Sequence, residues 1–276
     1  MSSDLVLKKL NYRPSLVSFL DILGFRELLR TRTAEDIAQS LRMLRDATRP
    51  EDFEEVDDKL FSTPKWFQVS DAIVRVRHFD TKYRDGALYH ELSDLGFAQA
   101  ILAGQGMFVR GGFAIGEATT GDDDLQLAFG PALAEAYELE SNSAVFPRIV
   151  ISPKVLDHYK NGDALKAEQN TKSFDEKYVL SMVRSSATGP WLDYMAVVRD
   201  NLERDGHISF CRDHAGHISA CLEKSGSQPR VMEKYLWLAA YHNNHVVTSF
   251  DEGDFLAFAT ELSIEAPTGW SFPILL

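Results

Sequence analysis

The sequence predicts a mixed α/β (α+β) fold: a ferredoxin-like core followed by a mostly helical C-terminal extension. Three observations predict it. Apolar runs of strand length alternate with stretches of helical periodicity from residue 16 to about residue 160. Strands and helices interleaved in this way make α/β units rather than bundles or sandwiches. Beyond residue 161 the strand signals shorten and long helical patterns take over. The division that follows is a core over 1–160 and an extension over 161–276 that completes the fold or a dimer.

The first strand signal is LVSFLDIL, Leu16 to Leu23, with one acid, Asp21, inside it. Gly24 follows as a turn, and FRELLRTRTAEDIAQSLRMLRDA reads as one helix through Leu28, Leu29, Ile37, Leu41 and Leu44. Residues 49–65 are polar and acidic and read as a loop. WFQVSDAIVRV, Trp66 to Val76, reads as a second strand, again with one acid, Asp71, among β-formers. A helix over about 86–104 precedes the glycine-punctuated strand MFVRGGFAIGEATTG. A short strand leads to a helix opened at Gly130–Pro131, where proline suits the first turn. RIVIS is a strand, and Pro153 starts another helix. In the extension KYVLSMV and GPWLDYM read as short strands, HAGHISACLEKS and RVMEKYLWLAAYHNNHV as helices, the last with an exposed-looking aromatic face.

Charge and composition exclude several functions. With 29 basic against 41 acidic residues the net charge is −12, which argues against a general nucleic-acid binder. No apolar run approaches the roughly 20 residues that span a bilayer, and the N-terminal segment lacks a signal-peptide core. Cys211 and Cys221 read as reduced thiols, without CxxC spacing, so the expectation is a cytoplasmic protein binding neither nucleic acid nor membrane.

Asp21 and Asp71 carry the chemistry. A carboxylate inside a buried strand needs a cation or several hydrogen-bond donors. If the two strands are neighbours, both acids emerge at one end of the sheet, where Mg²⁺ or Mn²⁺ takes carboxylate and phosphate oxygens. The turn after Asp21 runs into a helix whose free N–H groups suit a triphosphate. The bland alternative is a salt-bridged or capping aspartate at each position.

FLDILGF, SDAIVRV, FVRGGFAIGE and FGPALAEAYELE, in this order, resemble the catalytic domain of class III nucleotide cyclases over about residues 16–155. The RGGFAIGE string, the FGPAL helix, PRIVIS and the KYLWLAAYHN helix resemble the bacterial pyrimidine cyclases of the anti-phage system that signals with cyclic UMP or cyclic CMP, extending the match to about 245. The resemblance implies a class III core in which Asp21 and Asp71 bind two Mn²⁺ or Mg²⁺ ions, with the Ile22 carbonyl as an added ligand. It implies that the Leu23, Gly24, Phe25 and Arg26 backbone holds the β- and γ-phosphates. It further implies a nucleoside triphosphate substrate, UTP before CTP, a head-to-tail homodimer with sites at the interface, and a separate effector that responds to the product. ATP or GTP as substrate, or a non-catalytic nucleotide-binding relative, are the alternatives.

The sequence departs from the family pattern where an Asn and an Arg are usual: Ala134 and Glu138 stand there. Arg110 and Arg26 are the candidate replacement cations, Arg110 being set among the catalytic residues; an ordinary ion pair and a solvated first-turn arginine are their bland readings. Gly111, Gly112 and Gly116 serve either close packing or a close-bound ligand. Asp122, Asp123 and Asp124 read as a solvated acidic hairpin turn. The eight histidines lack HExxH spacing, and His242 reads as a satisfied core residue.

Overall fold

The structure, a computed structural model, describes residues 10–49, 59–121, 127–168, 172–226, 228–250, 253, 257–258 and 261–275. Its first half runs β1 (Arg13–Ile22), α1 (Phe25–Thr31), α2 (Ala34–Thr48), β2 (Pro64–Val69), β3 (Ala72–His78), α3 (Ala87–Gly104) and β4 (Val109–Thr120). These strands lie in the order β2-β3-β1-β4, each antiparallel to its neighbour. A βαββαβ chain in that order is the ferredoxin-like arrangement the sequence predicts.

The chain continues through β5 (Ala128–Phe129), α4 (Pro131–Ser143), β6 (Ile149–Ile151), α5 (Pro153–Asn161), α6 (Lys172–Ser181), β7 (Val183–Arg184), β8 (Trp191–Leu192) and α7 (Tyr194–Asn201), ending in α8 (Arg204–Ser225) and α9 (Pro229–Ser249). β6 joins β4 in parallel, and β8 and β7 extend the same sheet beyond it. Strands on both sides of residue 160 therefore share one sheet.

Two layers cover this sheet. Leu16, Leu20 and Ile22 of β1, with Val109 and Phe113 of β4, turn toward α2 and α3 and form the main core. The alternate residues Val17 and Ala114 turn to the other face and pack with Ala132 and Ala136 of α4. A second core joins α7, α8 and α9, with Trp191, Tyr194, Trp237 and Tyr241 buried at its centre.

Several local expectations change. The single helix after Gly24 is two helices, because Thr33 and Asp36 form a reciprocal cap: each side chain accepts the other's backbone N–H at 3.2 Å. The strand expected through Trp66–Val76 is a hairpin, so Asp71 lies in the two-residue turn between β2 and β3 and not inside a strand. Ser70 carries the positive φ, 59°, that such a tight turn demands. KYVLSMV is mostly helix, the end of α6, with Val179 and Met182 buried three residues apart; the strand is confined to Val183 and Arg184. The aromatic face of α9 is internal: Trp237 stacks on Phe146 at 5.2 Å and Tyr241 packs edge-on to Trp191 at 5.0 Å. Most of the predicted loop over 49–65, and Asp122, Asp123 and Asp124, lie outside the described residues.

A candidate divalent-metal and triphosphate site

Asp21 is the penultimate residue of β1. Its side chain lies on the α4 face, and its register partners are Ala72 of β3 and Arg110 of β4. Because the β2–β3 turn ends at Ala72, Asp71 stands beside Asp21 at the same end of the sheet. The two carboxyls share a hydrogen bond. Burial, that bond and the charge of Asp71 push the Asp21 carboxyl up to about 7, against the pull of Arg110. The convergence expected for the two acids is present, reached through a hairpin turn.

Arg110 bridges this pair to α4. Its Nη2 lies 3.1 Å from Asp21 Oδ2 and 2.6 Å from Glu140 Oε1. Glu140 is 4% exposed, and Ser141 Oγ donates to its other oxygen at 2.9 Å. α4 can lie this close only because β4 offers Gly112: a Cβ there would stand 2.0 Å from the Ala136 carbonyl oxygen. Gly111 is equally crowded, by the Phe19 carbonyl and Leu20, while Gly116 meets only ordinary contacts with Ala132. Close packing, the first of the two readings, accounts for Gly111 and Gly112.

Lys234 of α9 completes the charge pattern. Burial and repulsion from Arg110 hold its ammonium below the ordinary lysine range, while Asp21 draws it the other way. The C-terminal extension therefore brings a cation within electrostatic reach of the two aspartates.

The turn after β1 has the form the sequence suggests. Gly24 sits at φ 79° as the N-cap of α1, a conformation that favours glycine, and it is exposed with Arg26. The Leu23 amide donates to the Phe108 carbonyl at 2.9 Å and so is committed to the strand; the Gly24, Phe25 and Arg26 amides precede the first intrahelical bond, which the Glu27 amide makes to the Gly24 carbonyl at 2.9 Å. Phe25 turns its ring into the main core, and Ile22 is buried opposite Val109. Ala134 and Glu138 are exposed on α4, away from the buried stripe Ala132–Ala136–Glu140.

Two hard oxygen donors side by side at one sheet end are the donor set that Mg²⁺ or Mn²⁺ takes, and the residues fit such an ion. Sequence reading missed Glu140 and Lys234. The i, i+4 spacing of Ala132, Ala136 and Glu140 marks an inward stripe and signals the first. Nothing local signals Lys234, which reaches the site by tertiary packing alone.

No family model matches the chain, and no curated protein matches it. Among solved structures it is similar to the guanylyl cyclase Cya2, at 16% identity over 67% of this chain and 92% of that one, with a TM-score of 0.41. It is also similar to the monomeric guanylyl cyclase domain of the RhoGC fusion protein from the aquatic fungus Blastocladiella emersonii, at 18% identity over 56% and 90% of the chains, TM-score 0.37. A third is the catalytic core of a rhodopsin-guanylyl cyclase with converted specificity in complex with ATPalphaS, at 18% identity over 55% and 84%, TM-score 0.39. Among the described residues no helix is long and apolar enough to cross a membrane.

Proposed function

We propose that this chain is a metal-dependent nucleotide cyclase that converts UTP to 3′,5′-cyclic UMP and pyrophosphate. The observation that carries the reading is the Asp21–Asp71 pair at one sheet end, beside the Gly24 turn. The motif order from FLDILGF to FGPALAEAYELE supports it, and the branch-like RGGFAIGE string supports a pyrimidine base.

Asp21, Asp71 and the Ile22 carbonyl would hold two Mn²⁺ or Mg²⁺ ions. When bound, the ions supply positive charge to the triphosphate and acidify the ribose 3′-hydroxyl. The Gly24–Arg26 turn would carry terminal phosphate oxygens on backbone N–H groups, with Arg26 extending from it. Arg110 reaches the α-phosphoryl region by exchanging part of its pairing with Asp21 for the substrate, while Glu140 keeps its guanidinium in place. The 3′-oxygen attacks the α-phosphorus, its proton leaves, and pyrophosphate departs.

Two copies arranged head to tail would share the sites. In support, Tyr12, Phe129 and Tyr137 are exposed on the described surface, at 51%, 39% and 53%. In the cell, the reading implies a cytoplasmic enzyme whose cyclic product alerts a separate effector during phage infection.

A second reading, a non-catalytic nucleotide-binding relative, is favoured by one observation: Ala134 and Glu138 leave α4 without the usual Asn and Arg. One experiment separates the readings. Purified protein is incubated with Mn²⁺ and each of the four ribonucleoside triphosphates, and products are identified by mass. Cyclic UMP from UTP is expected. Turnover of ATP or GTP alone overturns the pyrimidine assignment, and binding without any product establishes the sensor.

A further inference from the structure

α8 and α9 face each other through two pairs of buried histidines that differ in kind. In the first, Tyr194 Oη lies 2.8 Å from His214 Nε2, His214 Nδ1 lies 2.9 Å from His242 Nδ1, and His242 Nε2 lies 2.6 Å from the Leu262 carbonyl. Only a carbonyl acceptor fits the last contact, so His242 donates from Nε2. Its Nδ1 then accepts from His214, whose Nε2 accepts from the tyrosine. Every ring nitrogen has a role in a neutral chain, and no ion is called for.

The second pair lies two turns away on α8 and one turn away on α9. His207 Nε2 and His245 Nε2 face each other at 2.8 Å, and Cys211 follows His207 by four residues on the same face of α8. The ligand atoms of His207, Cys211 and His245 all lie within 4.8 Å of one another, and the three residues are 5%, 0% and 1% exposed.

We propose that His207, Cys211 and His245 form a buried site for one zinc ion that clamps α8 to α9. Two imidazoles and a thiolate are the borderline-soft donors that zinc prefers, and water takes the fourth position. Tetrahedral zinc–nitrogen bonds of about 2.0–2.1 Å place two nitrogens roughly 3.3 Å apart, so the histidine pair opens by about half an ångström to admit the ion. Burial already keeps both imidazoles in the neutral form that can ligate. It holds the Cys211 proton on, at about 12, so zinc entry expels that proton to solvent. Ser249 Oγ stands 3.2–3.3 Å from the His245 ring nitrogens and can orient that ring. Asp200 acts on His207 with an opposing negative field, and Arg199 with a positive one. This site is separate from the Asp21–Asp71 pair and stands whether or not the chain is a cyclase.

The test uses the full chain, stripped with a chelator, loaded with zinc and dialysed, with metal content read by mass spectrometry. Close to one zinc per chain is expected in the wild type, in Cys221→Ser and in the Asp21→Asn/Asp71→Asn double variant, with at least a tenfold loss in Cys211→Ser. Absence of retained zinc in the wild type, or undiminished zinc in Cys211→Ser, overturns the proposal. Should Cys211→Ser fail to fold, cobalt replaces zinc in the wild type and in Cys221→Ser. A thiolate-to-cobalt charge-transfer band in both supports Cys211 as ligand, and its absence from either overturns the site.

Discussion

Arg110 Nη2 lies 3.1 Å from Asp21 Oδ2, its register partner across the β1–β4 ladder. The pairing couples the only strand acid of β1 to a cation that Glu140 also grips, so the Asp21 carboxylate is opposed by Asp71 and eased by Arg110 at the same time.

Removing Arg110 should therefore act in two ways. If the chain is the cyclase proposed above, Arg110→Ala takes a cation from the reacting region, for which losses of about 10²–10³ in kcat are typical. It also removes the interaction that lowers the Asp21 pKa, so manganese binding should require a higher pH than in the wild type. Manganese titrations at a series of pH values, followed beside turnover, check both. An unchanged binding midpoint would show that Arg110 does not govern Asp21.

The raised Asp21 pKa has a consequence for stability. The group is near 3.8 when unfolded and about 7 when folded, so its ionisation opposes folding. The cost is absent below pH 4, grows as pH rises toward 7, and is complete above it. Metal-free protein should thus melt at a lower temperature at pH 8 than at pH 5.5, and Mg²⁺ or Mn²⁺ should restore most of the difference. Asp21→Asn should stabilise the metal-free chain at pH 8 by about 1–2 kcal/mol while abolishing turnover. Destabilisation by that substitution at pH 8 would contradict the strain assigned to the pair.

A second charged cluster has the opposite sign. Arg75 and Arg77 of β3 both hold Glu91 of α3, at 2.9 and 2.8 Å, and all three are nearly inaccessible. Burial alone would raise the Glu91 pKa, but the two arginines overcome it and hold it at about 2. Its stabilisation is present above pH 4.5 and is lost as pH falls toward 2. Glu91→Ala leaves two buried guanidiniums under-compensated and should cost about 3–5 kcal/mol. Urea unfolding at pH 7 measures it; a loss below 1 kcal/mol would mean that water or relaxation solvates the arginines.

Gly112 and Gly116 give a sharper contrast, since both lie on β4 under α4. Gly112→Ala drives a methyl into the α4 backbone and should cost about 3 kcal/mol or more. Gly116→Ala finds ordinary contact distances and should change stability by less than about 1 kcal/mol. Equal effects of the two substitutions in thermal melts would rule out the close crossing of α4.

These residues also show how far the sequence could be read. The ferredoxin-like class was legible because apolar runs of strand length and stretches of helical spacing alternate from Leu16 to Ile151. Asp21 and Asp71 were legible as a pair because each stands as a lone acid in an apolar β-forming run. The hairpin turn at Ser70–Asp71 was not, since no glycine or asparagine marks it and the turn rests on a serine at positive φ. The break before α2 was hidden because Thr33 and Asp36 interrupt the backbone without interrupting the apolar spacing. In the second half, α6 and the two-residue strands β7 and β8 are too short for periodicity to separate. Pairings set by packing, such as Arg110 with Glu140 and the histidines of α8 with those of α9, join elements far apart in the chain, so local spacing can mark an inward residue but not its partner.

Lys234 is the case in which that packing bears most on function. It stands on α9, yet its ammonium responds to both Asp21 and Arg110. A triphosphate entering the site would bring about four negative charges into the reach of a half-buried cation already destabilised by Arg110, and the lysine would gain by it. Lys234→Met keeps the apolar stem and removes the charge. On the proposed reading the triphosphate KM should rise about tenfold, the equivalent of about 1.4 kcal/mol, with kcat changed little, as expected of a lysine that meets bound phosphate and not the reacting oxygen. Thermal melting of the metal-free variant should match the wild type within a few degrees. A fall in kcat at constant KM would instead place the ammonium at the reaction centre, and no kinetic change at all would reduce Lys234 to a packing residue of the C-terminal helix.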